Sequence, residues 1–132
     1  MGHRVNRVLL DTHVLLWWFQ GGEQLSKKAR SIIEDAETDA LVSAVSVWEI
    51  AIKYRAGKLD AAGVISNLET GIELDRFDEL PLTSAHALRA GLLKGNHKDP
   101  FDRALIAQAQ CESVPVISTD TCFDRFGVQR IW

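Results

Sequence analysis

The residues of this chain best suited to chemistry are acids. Asp11 ends the apolar run that begins at Arg7, and Glu49 interrupts the apolar stretch around Trp48 and Ile50. Asp99 and Asp102 bracket Pro100-Phe101, and Asp120 follows the apolar segment Val114 to Ser118. A carboxylate at the end of a buried strand sits against apolar core, where an unpaired charge is costly. Several carboxylates gathered there would suit a hard, oxygen-seeking cation. Mg2+ or Mn2+ fits best, because these ions keep several waters and share carboxylates with phosphate oxygens. Such a site activates water and stabilises in-line displacement at phosphorus, with one metal ion or two. The expected chemistry is therefore phosphodiester hydrolysis, with Asp11, Glu49, Asp102 and Asp120 as candidate catalytic acids. Asp11, Asp99, Asp102 and Asp120 are the candidate metal ligands.

Each acid also has a structural use. Asp11 can cap the helix that opens at Thr12, and Asp120 can turn or cap the chain before Thr121. Glu49 can pair on the surface with Lys53 at i+4, in the favoured Glu-before-Lys order. With Pro100 at the first helical position, Asp99 suits the N-cap and Asp102 the third position, both favourable to the helix dipole. Spaced i, i+3, the two can face one side of the helix mouth. A cap carboxylate is committed to backbone N–H groups, so Asp102 ranks above Asp99 as a ligand. His13, His86 and His97 read as structural or solvent-facing, and only His97 lies near the acids in sequence. Cys111 and Cys122 form no CxxC and no Cys/His spacing suited to zinc. No Ser/His/Asp order, GxSxG motif or phosphate-cradling glycine loop offers a competing chemistry. A phosphatase of the haloacid-dehalogenase type needs a second aspartate two residues after the nucleophile, where His13 stands here.

The elements that must position these acids are short. Arg7 to Asp11, Ala40 to Ser43, Val114 to Ser118 and Gln129 to Trp132 read as strands, and Leu80 to Thr83 as an extended segment. Helices are expected over Val14 to Phe19 (stopped by Gly21-Gly22), Ser26 to Asp35, Ser46 to Arg55 and Ala61 to Gly71. Two more are expected from a Ser84 cap through Leu93 and from Asp99-Pro100 to Glu112. The first helix is apolar on so many sides that core, or another subunit, must cover it. Short apolar strands alternating with helices imply an α/β sandwich with a mainly parallel sheet, in which sites form beyond the carboxyl ends of the strands.

The 132 residues fit one compact domain, and 46% apolar with 25% charged residues is ordinary for a soluble globular protein. Two sparse cysteines and no signal peptide predict a cytoplasmic protein. The longest apolar stretch, Val14 to Phe19, falls far short of the ~20 residues of a membrane span. Net charge is −3, from 15 Lys and Arg against 18 Asp and Glu. That argues mildly against a nucleic-acid partner, because neutralising phosphates favours basic proteins. A cation held by some of the acids would offset the objection locally.

Five blocks in order carry a family resemblance. Leu10-Asp-Thr-His-Val-Leu-Leu-Trp17, Ser43-Ala-Val-Ser-Val-Trp-Glu-Ile-Ala51 and His97-Lys-Asp-Pro-Phe-Asp-Arg103 are the first three. Ala104-Leu-Ile-Ala-Gln-Ala109 and Ser118-Thr-Asp120 complete the set. Together they resemble a PIN domain, most closely the VapC-type toxins of toxin–antitoxin pairs, from about Val8 to Trp132. The resemblance implies a three-layer sandwich around a parallel sheet and a Mg2+- or Mn2+-dependent endoribonuclease. It matches Asp11 to the family's first-strand aspartate and Glu49 to its helical glutamate. Asp102 matches the aspartate opening the Ala/Ile-rich helix, and Asp120 the one in the terminal Thr-x-Asp-like motif, where Ser118 replaces the threonine in a supporting role. Asp99 belongs to a DPFDR variant of the pattern, which leaves ligand and cap both open. Homodimers, a cognate antitoxin that blocks the site, and structured RNA such as tRNA as substrate are likewise implied. The alternative is a non-catalytic PIN-like module, binding RNA or protein, whose acids are helix caps.

Overall fold

The computed structural model describes residues 6–59 and 62–132. Strands β1 (Asn6–Leu10), β2 (Thr38–Ser43), β3 (Asp78–Leu80), β4 (Val116–Ile117) and β5 (Arg130–Ile131) form one sheet in the order β3-β2-β1-β4-β5. Every pairing is parallel, so the sheet expected to be mainly parallel is wholly so. The helices are α1 (Thr12–Phe19), α2 (Lys27–Glu34), α3 (Ala44–Arg55), α4 (Ala62–Leu74), α5 (Ser84–Leu92) and α6 (Pro100–Glu112).

Strand side chains alternate between faces, and the two cores follow that alternation. Val8, Leu10, Ala40, Val42 and Ile117 pack against Val14 and Leu15 of α1, Ala29 and Ile33 of α2, and Leu68 of α4. Leu9, Leu41, Leu80 and Val116 face the other way, onto Leu105, Ile106 and Ala109 of α6 and onto Phe123. The result is three layers. The apolar α1 is covered by the chain's own core: Trp18 and Phe19 stand edge-on to Phe77, and Trp17 tilts against Trp132. Close approach of α4 to α1 requires Gly71, where a Cβ would lie 2.6 Å from the Phe19 ring.

Several boundaries differ from expectation for local reasons. Helix α3 starts at Ala44, because the Ser43 hydroxyl accepts from the Val45 N–H and caps it. Thr83, and not Ser84, caps α5: its hydroxyl accepts from the His86 N–H while His86 Nδ1 accepts from the Thr83 N–H. The extended segment expected over Leu80 to Thr83 contributes only Leu80 to a strand. Strand β4 keeps two residues of the expected five, since Pro115 has no N–H to donate and offers only its carbonyl, to Leu9. The turn or cap expected at Asp120 before Thr121 is the start of a 3-10 turn over Thr121–Phe126, whose extent residue types did not indicate. Helix α4 runs past Gly71 to Leu74, and its expected start, Ala61, lies outside the described residues.

Helix α6 ends on Ser113 at φ 55°, in the left-handed region that glycine favours. Relieving a Cβ there is worth roughly 1 kcal/mol. Ser113→Gly should therefore raise the melting temperature by about 3–5 °C in a thermal melt. An unchanged or lower melting point would show that the Ser113 side chain compensates for its backbone. The same helix is anchored from within by Gln108, whose Oε1 accepts from the buried Ser43 hydroxyl at 2.6 Å and whose Nε2 donates to the Pro81 carbonyl at 3.3 Å. That bond fixes α6 to the end of β2, and with it every acid α6 carries.

Candidate functional site

The strand order places a switch point between β1 and β4. From β1 the chain proceeds through β2 to β3 on one side, then returns to β4 on the other. Connections leaving such a pair diverge and open a crevice at its carboxyl end. Asp11 stands there, one residue past β1, its N–H donating to the Ile117 carbonyl of β4 at 3.1 Å. Its side chain is the N-cap of α1: Oδ1 accepts from the Thr12 N–H at 2.7 Å, while Oδ2 accepts from the Ser118 hydroxyl at 2.5 Å. Ser118, fully buried, in turn accepts from the Asp120 N–H at 2.9 Å. Asp120 Oδ1 accepts from the Cys122 N–H and caps the 3-10 turn, leaving Oδ2 at an exposed position.

The other acids come from α3 and α6. Glu49 is 3% exposed, so its pair with Lys53 is not the surface pair expected from spacing. The half-buried Lys53 ammonium reaches in to donate to Glu49 Oε2 at 2.5 Å. Helix α3 is tied to α1 by the Thr12 hydroxyl, which donates to Ser46 Oγ at 2.9 Å and so sets Glu49 relative to Asp11. At the mouth of α6, Asp99 Oδ1 accepts from the N–H groups of both Phe101 and Asp102, the cap geometry expected of it. Asp102 makes no cap bond. Its Oδ2 lies 2.8 Å from His97 Nε2. Arg103 holds the preceding loop, donating to the carbonyls of Ala90, Leu93 and His97.

The charges of these groups act on one another. Burial raises the Asp11 carboxyl above its usual range and Glu49 adds to the rise, against the lowering effects of the Ser118 and Thr12 hydrogen bonds. Asp102 is pushed up to about 6, first by burial and then by Asp99 and Asp11, while the His97 bond opposes the shift. Lys53 is raised, chiefly by its bond to Glu49 and further by Asp99 and Asp102. Burial pushes the Cys122 thiol up to about 12, and Asp102, Asp120 and Asp11 contribute. Groups that shift one another in this way share one site. Electrostatic coupling and hydrogen bonds thus connect Asp11, Glu49, Asp99, Asp102, Asp120 and Ser118 around the switch point. Carboxylate oxygens at the carboxyl end of a parallel sheet, with Asp11 and Asp102 raised chiefly by burial, are hard donors of the kind a divalent cation such as Mg2+ takes. Reading the sequence alone passed over three neighbours: Lys53 as a member of the site, His97 on Asp102, and Cys122. His97 gave a signal through its nearness to the acids and Lys53 through its i+4 spacing from Glu49; Cys122 gave none.

Comparison with known proteins gives the family and the fold. Residues 8–129 match the family model described as PIN domain, and the chain belongs to the PIN-domain family. Ribonuclease VapC16 of Mycobacterium tuberculosis is 53% identical over 32 residues, a stretch covering 24% of this chain and 23% of that ribonuclease. The chain thus matches under a quarter of this curated relative's length. Among solved structures, the DNA-bound VapBC of Salmonella typhimurium gives a TM-score of 0.70 at 16% identity, covering 96% of this chain and 97% of that one. FitAcB of Neisseria gonorrhoeae gives 0.65 at 22% identity, covering 95% and 96%. VapC20 of Mycobacterium tuberculosis, a sarcin-ricin loop cleaving toxin, gives 0.66 at 12% identity, covering 92% and 95%. These structures share the fold, the PIN-like sandwich expected from the sequence. Among the described residues, no helix is long and apolar enough to cross a membrane.

Proposed function

We propose that this protein is a Mg2+- or Mn2+-dependent endoribonuclease, the toxin of a toxin–antitoxin pair. The observation that carries the reading is the gathering of carboxylates from β1, α3, α6 and the segment after β4 at the sheet's switch point. Asp11, Asp102 and Asp120 are the residues suited to hold the cation, with Asp99 behind them as the cap that aims Asp102. Bound there, Mg2+ or Mn2+ would polarise a phosphodiester oxygen and lower the pKa of a water. Ser118 aligns the site by joining Asp11 to the Asp120 backbone. Glu49 supplies a further carboxylate that the Lys53 ammonium orients. A local cation also answers the objection raised by the net charge of −3.

RNA, with tRNA as one structured candidate, is the proposed substrate, and a cognate antitoxin and a second copy of the chain are the proposed protein partners. The VapBC and FitAcB relatives support that reading. So do Leu88 and Leu92, one turn apart on α5 and 66% and 71% exposed, which a partner would cover. A cytoplasmic setting follows from an RNA target.

A specific observation favours the rival reading of a non-catalytic module: Asp11, Asp99 and Asp120 all cap helices. The helix mouth separates the two. Asparagine caps about as well as aspartate, so Asp99→Asn should keep most activity. Asp102→Asn removes a charge bonded only to a side chain, and it should cost far more RNA cleavage. Mn2+-supported cleavage of a structured RNA by the purified chain and both variants decides the matter. No cleavage with any metal would favour the binding module, and the reverse ranking would make Asp99 the ligand.

A further inference from the structure

We propose that His97, Asp102 and Cys122 form a second cation site, for a thiophilic ion of the Zn2+ class, overlapping the acid cluster at Asp102. One ligating atom from each residue lies within 4.8 Å of the others. The three come from separate segments: the loop before α6, the first turn of α6, and the 3-10 turn after Asp120. Sequence spacing therefore gave no zinc pattern, although the fold assembles one. Imidazole, carboxylate and thiolate together are a zinc ligand set. The thiolate distinguishes it from the neighbouring oxygen donors, which suit Mg2+ and Mn2+.

Zinc bonds of roughly 2.0–2.3 Å place tetrahedral ligands about 3–4 Å apart, so the triad needs only a modest contraction. The 2.8 Å contact between His97 Nε2 and Asp102 Oδ2 would open to admit the ion between them. The S–H bond of Cys122 breaks, its proton passes to solvent, and the sulfur pair forms the metal bond. His97 binds as neutral imidazole through Nε2. Three protein ligands leave the fourth tetrahedral position open to water. Support behind the ligands already exists, since Arg103 holds the His97 carbonyl at 3.0 Å and the Asp99 cap fixes the start of α6. A cation held there occupies Asp102 and denies it to Mg2+ or Mn2+, making zinc an inhibitor. That regulatory half rests on the nuclease reading; the cation site does not.

Cobalt titration of the full chain tests the site, because a thiolate bound to Co2+ gives a near-ultraviolet charge-transfer band. The expected result is a band saturating at one Co2+ per chain and abolished by Zn2+. It should persist in Cys111→Ser, vanish in Cys122→Ser and need at least about tenfold more Co2+ in His97→Ala. Absence of the band at saturating Co2+, or its loss in Cys111→Ser, overturns the site, and neither result depends on whether Cys122→Ser folds. For the regulatory half, one equivalent of Zn2+ should suppress Mn2+-supported RNA cleavage in the wild type and not in Cys122→Ser. A normal band with unsuppressed cleavage overturns inhibition alone. A normal band on a chain that cleaves no RNA overturns the nuclease reading while the cation site stands.

Discussion

Asp11→Asn is expected to lower RNA cleavage by about 10²–10³-fold, the loss typical when one preorganised electrostatic group is removed from a site. That corresponds to roughly 3–4 kcal/mol of transition-state stabilisation. The carboxylate lies where β1 and β4 separate, and its charge is the part the substitution deletes. Its structural work survives. The asparagine carbonyl can still accept from the Thr12 N–H, and the Ser118 hydroxyl can rotate to accept from the new amide. The variant should therefore fold, with an unchanged far-ultraviolet circular dichroism spectrum. Metal-dependent cleavage retained in full by purified Asp11→Asn would remove Asp11 from the mechanism, and with it the switch-point site.

Saturating Mn2+ is expected to raise the melting temperature of the wild type by about 5–10 °C. A ligand at ~100 times its dissociation constant adds roughly 2.7 kcal/mol by mass action, and a domain of this size converts that into several degrees. The metal-free protein carries the opposite effect. Asp102 titrates at about 6 against an ordinary value of 3.8, because burial and the neighbouring Asp99 and Asp11 disfavour its charge. The folded state therefore binds more protons than the unfolded chain between these values. Stability from this group is greatest below pH 3.8 and is lost as pH rises through 6. Asp102→Asn should remove that slope, melt above the wild type at pH 7 without metal, and gain little from Mn2+. Melting curves of both proteins at pH 5 and pH 7, each with and without Mn2+, supply the comparison. A wild type indifferent to Mn2+ would argue for the binding module.

Much of this architecture can be read from residue order, and the exceptions have physical causes. Val8-Leu9-Leu10 marks a strand covered on both faces, and both cores use it. Asp99-Pro100 marks a helix start, because proline at the first position needs no N–H and aspartate satisfies those that follow. The strand Asp78–Leu80 was missed because three residues carry no periodicity. It exists through pairing with β2 and through the burial of Leu80. Thr83 and Ser84 are equivalent as caps in composition. The reciprocal bonds with His86 select threonine, and they depend on His86 being packed against α6. The acids themselves were visible as types, but the burial of Glu49 was not. Glu49 beside Lys53 reads as a surface pair on spacing alone, and only the packing of α3 against α1, through Ser46 and Thr12, buries it.

The bond between Ser118 and Asp11 joins residues 107 positions apart. During synthesis the N-terminal part of a chain has the first opportunity to fold. When β1, β2 and β3 have left the ribosome, Asp11 and Glu49 are already present, yet β4 has not been added beside β1. Without β4 the Asp11 N–H lacks its carbonyl partner and the carboxylate lacks its hydroxyl. Asp120 is not yet in the chain. On the proposed nuclease reading, the site is assembled only after residues 116–120 have been made, so a growing polypeptide that has reached β3 carries Asp11 and Glu49 beside its own messenger without a complete cutting centre.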